Sequence, residues 1–139
     1  MTESAAVPNR RERRVYLRHA VKSSAIMCLV HSGSKLPGQI LDLSLAGCRI
    51  RCDDPSMVGI YTRVEAEFHL QGFPLRLGGV IQVVHDNRTV GIRFLDLSER
   101  KLDQLDQLIG ELEEVERSAA AARLQVPSGP SPDNPQGLP

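Results

Sequence analysis

Aromatic side chains are scarce in this 139-residue chain: Tyr16, Tyr61, Phe68, Phe73 and Phe94 are all it has. A surface that grips single-stranded nucleic acid by stacking bases needs exposed rings, and so few, shared with a core, argue against one. Cysteine is equally thin. Cys28, Cys48 and Cys52 form neither an even-numbered disulfide framework nor a Cys-x-x-Cys pair, which fits a reducing compartment, most simply the cytoplasm. The N-terminal stretch lacks the apolar segment of a secretory signal. No run approaches the roughly 18 apolar residues that a membrane-spanning helix needs. Catalytic signatures are missing as well: there is no GxxxxGK[ST], GxGxxG or HExxH. His19, His31, His69 and His85 show no metal-ligand spacing and no Cys or Ser partner at a known interval. The chain therefore reads as a non-enzyme with no metal and no resident cofactor.

What is present is a domain-sized core and an uneven spread of charge. Hydrophobic residues make up 41% of the chain, close to the globular norm, and the length suits one domain. Seventeen Lys and Arg balance seventeen Asp and Glu overall, but not locally. Residues 1–22 carry six bases and two acids, net +4, and Arg10, Arg11, Arg13, Arg14 and Arg18 fall within nine positions. Residues 96–117 carry eight acids and three bases, net −5. Such asymmetry points to an anionic ligand or partner at the basic end.

Residues 1–13 are polar, Arg-rich and without period, as expected of a mobile arm. Short β-like runs follow, separated by turn residues: 24–30, 39–43, 48–52, 63–70, 75–84 and 88–95. The clearest is 63–70, where Val64, Ala66, Phe68 and Leu70 alternate with Arg63, Glu65, Glu67 and His69, as in an antiparallel strand wet on one face. That puts His69 among solvated side chains. Gly78-Gly79 suggests a bulge or sharp bend, and Asp86-Asn87 a hairpin turn. The connections are too short for βαβ crossovers, so a small closed barrel or a sandwich remains. At Ser98 the period changes. Leu102, Leu105, Leu108, Ile109, Leu112 and Val115 recur at helical steps behind Ser98, a candidate N-cap, and Glu99 in the first turn. Docking across the barrel is favoured over a dimerisation helix, because the heptad spacing lasts under two heptads. The helix is expected over 97–123, fraying near Ala119–Ala122, and a disordered Pro-rich tail over 124–139.

Two segments stand out. Arg14 and Arg18 make an Arg-x-x-x-Arg pattern just ahead of the first strand, and Arg10 and Arg14 offer a second register. Asp42, Ser44 and Gly47 make Asp-x-Ser-x-x-Gly in the turn between strands two and three. The first pattern is expected about 1.4 times by chance in this composition and the second only about 0.05 times. Together, in this order, they resemble the PilZ domain, the bacterial receptor for cyclic di-GMP, over about residues 10–117. Val90-Gly91-Ile92-Arg93-Phe94 resembles that family's last strand. The resemblance implies an all-β fold with a C-terminal helix, a six-stranded antiparallel PilZ-type barrel over 14–96. It further implies that Arg14 and Arg18 hold phosphate and guanine, and that Asp42, Ser44 and Gly47 line the guanine pocket. Arg13, preceding the first motif arginine, resembles members that bind two intercalated ligand molecules. Arg10 and Arg93 are secondary candidates.

The residue chemistry agrees. Cyclic di-GMP is a dianion whose guanines offer O6 and N7 acceptors on one edge and N–H donors on another. Arginine forks suit phosphate and the O6/N7 pair, and a carboxylate and a hydroxyl suit the donor edge. Gly47 allows either a close backbone approach or a positive φ. The expected function is a single-domain receptor whose arm becomes ordered on binding and relays the signal to a partner protein controlling motility, exopolysaccharide or biofilm. Other readings are a solvated basic arm with an ordinary Asx or Ser turn, a nucleic-acid-binding barrel, and a PilZ-like scaffold acting through protein contacts alone. Zero net charge weighs against the second and the intact Asp42/Ser44/Gly47 set against the third.

Overall fold

The structure, a computed structural model, describes residue 15 and residues 17–125. The expected arm, residues 1–13 with Arg10 and Arg13, then Arg14 at the expected start of the barrel, and residues 126–139 of the expected tail lie outside the described residues. Six strands form one closed antiparallel barrel: β1 (His19–Leu29), β2 (Lys35–Leu43), β3 (Gly47–Cys52), β4 (Arg63–Leu70), β5 (Phe73–Val84) and β6 (Thr89–Phe94). Around the barrel the order is β1-β2-β3-β6-β5-β4, and the β1–β4 pairing closes it. Closure leaves no free sheet edge, so each strand satisfies its backbone groups on both sides.

Alternation explains the interior. In β4, Val64, Ala66, Phe68 and Leu70 are buried while Arg63 and His69 are exposed. Met27, Ile40, Ile50, Leu77 and Ile81 from four other strands fill the lumen with no measurable exposure. Cys48 and Cys52 also point inward, and burial pushes both thiols up, which makes them poor nucleophiles. The β4–β5 hairpin turns on Gln71 (φ 54°) and Gly72 (φ 78°), the paired positive angles of a two-residue type I′ turn.

Among the described residues one helix, α1 (Glu99–Gln125), follows the barrel. Ser98 caps it: its Oγ accepts from the Lys101 N–H at 3.1 Å and its carbonyl from the Leu102 N–H at 2.9 Å. Leu105, Leu108 and Ile109 join the barrel core, with Leu102 and Leu112 packed against it. Each such side chain is worth roughly 1.5–3 kcal/mol when fully buried, so this half of the helix is part of the core. Ala119–Ala122 do not fray: alanine is the best helix former, and the helix runs through them to Leu124 and Gln125, positions expected to open the tail.

Irregularities in the ladders matter more to the site than the regular stretches do. The pairings skip between Ala20 and Ser23 in β1, between Ile40 and Asp42 in β2, and between Ile81 and Val83 in β5. The expected irregularity at Gly78-Gly79 is absent. Those residues pair in regular register with Glu65 and Val64, and Gly79 instead admits the Arg93 backbone, whose carbonyl oxygen would lie 2.4 Å from an added Cβ.

Candidate functional site

The bulge in β2 creates the site. Strict alternation would place Asp42 on the inward face with Ile40. Because Leu41 is the extra residue, Ile40 pairs with Ile50 but Asp42 pairs with Arg49, so Asp42 joins the outer face of the barrel. There its carboxylate lies between two guanidinium groups. Arg18 Nη1 donates to Oδ1 at 2.8 Å, and Arg49 Nη2 lies 2.9 Å from Oδ2. The carboxylate is largely buried while both arginines keep an exposed side (57% for Arg18, 42% for Arg49), so their outer donors stay available. Arg49 Nε is buried with no hydrogen-bond partner among the described residues. A buried donor in that condition is costly unless an acceptor arrives.

These three residues border an open cleft of about 220 Å³ whose other walls include Gln82, Val83, His85 and Gly91. Across the sheet Arg49 pairs with Gly91, which pairs in turn with Val83. With no side chain at Gly91, the floor is bare backbone between an arginine and a valine. Gln82 is the extra residue of the β5 bulge, a position that re-aims a side chain. His85 sits at the rim, where the β5–β6 turn is held by Asp86: its Oδ1 accepts from the N–H groups of Arg88 (2.8 Å) and Thr89 (2.7 Å). Those two bonds hold the Asp86 carboxyl below its ordinary range. A larger hollow, about 450 Å³, opens among β1, β4 and β5 around Phe68 and Leu75, but no pair of arginines faces it.

The expected residues divide into groups. Arg18 and Asp42 are brought into direct contact. Ser44 and Gly47 build the turn beneath them. Ser44 Oγ accepts from the N–H groups of Ala46 (3.1 Å) and Gly47 (3.3 Å) and donates to the Gly47 carbonyl at 3.4 Å, and its own N–H donates to that carbonyl at 2.8 Å. With its hydroxyl engaged inside the turn, Ser44→Ala leaves two backbone donors short of an acceptor. We expect a loss of about 1–2 kcal/mol in stability, read from the urea unfolding midpoint. Gly47 is not among the positive-φ residues, so close approach to β6 explains it. Arg93 is exposed on β6 opposite Gly47 and does not border the cleft. Arg10, Arg13 and Arg14 lie outside the described residues. Sequence reasoning missed Arg49, Gln82, His85 and Gly91. Arg49 and Arg51 alternate identically in sequence, and only the register sets Arg49, not Arg51, against Asp42.

A six-stranded antiparallel barrel with a C-terminal helix, carrying an outward-facing Arg–Asp–Arg cluster, defines the class. The family model of the PilZ domain matches residues 8–111, and the chain belongs to that family. Solved structures of similar fold include the PilZ domain of YcgR from Escherichia coli with c-di-GMP (TM-score 0.63, 21% identity, covering 78% of this chain and 98% of that one). The PilZ domain of CeSA from a cellulose-synthesizing bacterium is also similar (TM-score 0.59, 18% identity, 70% and 98% covered). So is apo MrkH from K. pneumonia (TM-score 0.59, 16% identity), where the matched region spans 81% of this chain and 56% of that one. No curated protein matches the sequence. Among the described residues no helix is long and apolar enough to cross a membrane, and no group of His, Cys, Asp and Glu is arranged to hold a metal.

Proposed function

We propose that the protein is a receptor for cyclic di-GMP and performs no catalysis. The observation that carries this reading is Asp42 clamped between Arg18 and Arg49 at the edge of an open cleft, with one Arg49 donor unpaired. Both guanidinium groups can offer donors to phosphate oxygens or to the O6/N7 edge of guanine, Arg18 turning from Asp42 as the carboxylate accepts instead from guanine N–H groups. The similar YcgR domain, described with c-di-GMP, supports the choice of ligand.

A cleft of about 220 Å³ falls below the roughly 300–1,000 Å³ of sites that enclose a drug-sized ligand, so it takes one part of the dinucleotide. The remainder falls to the chain ahead of Arg18. In this reading Arg14 supplies the second motif contact, Arg10 a further one, and Arg13 favours an intercalated pair of ligand molecules. Ordering of that arm, followed by contact with a downstream protein in the cytoplasm, converts binding into a signal.

Calorimetry of the full chain with cyclic di-GMP tests the reading. The expected result is a dissociation constant of ~1 µM, about −8 kcal/mol, with two ligands per chain. One ligand per chain would remove the intercalated pair and keep the receptor. No binding to cyclic di-GMP, with steeply salt-dependent binding to an oligonucleotide, would replace this reading with a nucleic-acid-binding barrel.

A further inference from the structure

Helix α1 is longer than its docking requires. Its 27 residues span about 40 Å, yet the side chains that meet the core, Leu102 to Leu112, come from its first half. Beyond them Val115 and Leu124 are exposed, by 53% and 87%, and among the described residues no later side chain joins the core. At the changeover lies a histidine from the other end of the sequence. His19 is buried, with Nδ1 3.2 Å from Glu116 Oε1 and Nε2 3.5 Å from Glu113 Oε2. The two glutamates stand three residues apart, on one face of the helix.

His19 directly follows Arg18, the residue that reaches Asp42. Successive side chains of an extended chain point to opposite faces, so one short segment holds the cleft with Arg18 and the helix with His19. His19 and Ala20 pair with Leu43 and Asp42, but the register shifts between Ala20 and Ser23, so this end of β1 is set off from the regular ladder by an irregularity. Neighbouring Cα atoms are about 3.8 Å apart, and a shift that carries Arg18 off Asp42 toward a ligand also displaces the imidazole. The 3.2 Å contact lies at the long end for a hydrogen bond, and Nε2 at 3.5 Å makes none among the described residues, so neither contact survives such a shift.

We propose that His19 is a positioning residue coupling the cleft to α1: it clasps Glu113 and Glu116 while Arg18 is paired with Asp42, and releases them when ligand takes Arg18. The proposal rests on the cyclic di-GMP reading and adds the element that receives the signal, the second half of α1. Linkage fixes the sign. If ligand opens the clasp, opening the clasp by mutation must tighten ligand binding by the same factor.

The test uses the full chain, His19→Ala, and the double variant Glu113→Gln/Glu116→Gln, which leaves the buried imidazole in place in case its loss prevents folding. Calorimetry with cyclic di-GMP is expected to show about five-fold or greater tightening in each variant. Amide hydrogen exchange over residues 113–124 should accelerate when ligand is added to the wild type. A clasp that merely stabilises the fold would not raise affinity. Unchanged or weaker binding in the variants, or exchange that ignores the ligand, overturns the coupling. No binding to the wild type would overturn the functional reading and the coupling with it. Exchange in ligand-free His19→Ala then still decides whether the clasp holds the helix.

Discussion

Arg18→Ala is expected to weaken cyclic di-GMP binding by about a hundredfold or more while the barrel stays folded. Loss of two charge-assisted hydrogen bonds at about 1.5 kcal/mol each gives roughly 3 kcal/mol, or just over two decades in affinity. Stability should move little, because Arg18 is more than half exposed and the buried Asp42 carboxylate keeps Arg49 as its partner at 2.9 Å. Arg18→Lys separates charge from geometry: an ammonium retains the attraction to phosphate but has no fork for a guanine edge, so affinity should fall to an intermediate value. Asp42→Ala should be worse for folding than either, since it leaves Arg18 and Arg49 facing each other without their common counter-charge. Calorimetry gives the affinities and circular dichroism the fold. An Arg18→Ala protein that binds within threefold of wild type would remove Arg18 from the site.

The alternation along 63–70 and the helical spacing behind Ser98 were plain in the sequence because each reflects a local period, two residues for a strand and about 3.6 for a helix. Local period left a closed barrel or a sandwich, and the barrel came from the family resemblance, since closure depends on β1 meeting β4 and β3 meeting β6, pairings between residues distant in sequence. The site shows the same divide. Arg18 and Asp42 could be singled out because their patterns are short. Arg49 could not: it becomes a neighbour of Asp42 only through the extra residue Leu41, and a bulge has no local signature in Ile40-Leu41-Asp42-Leu43. Gln82 and His85 reach the cleft from β5 and its turn, about forty positions away from Asp42 in the chain, through the long-range β3–β6–β5 order. The glycines misled for a related reason. Gly78-Gly79 looked like a break, yet Gly79 is needed where two backbones press together, and that pressure comes from Arg93 on β6, the strand paired beside it.

Gly47→Ala extends this point into an expected result: a loss of about 3 kcal/mol in stability, at the upper end of overpacking costs. A Cβ at position 47 would lie 2.0 Å from the Ile92 carbonyl oxygen, 3.0 Å from its carbon and 3.2 Å from Arg93 Cα. All three are backbone atoms, so no rotamer relieves the clash and β3 must part from β6. That seam is tied on both sides, by the Phe94 N–H donating to the Ala46 carbonyl at 2.8 Å and by the Ser44 turn. Parting it also separates Arg49 from Gly91, its partner across the cleft floor. Gly47→Ala should therefore lose stability and ligand affinity together, whereas Arg18→Ala loses affinity alone. For a barrel of this size the melting temperature should fall by about 10–20 °C. Gly59→Ala is the control: nothing lies within 4 Å of its added Cβ and its φ is not positive, so the change should be neutral or stabilise by up to about 1 kcal/mol. If Gly47→Ala instead melts with the wild type but no longer binds, the glycine serves the ligand directly and the close approach of β3 to β6 is not what the motif requires.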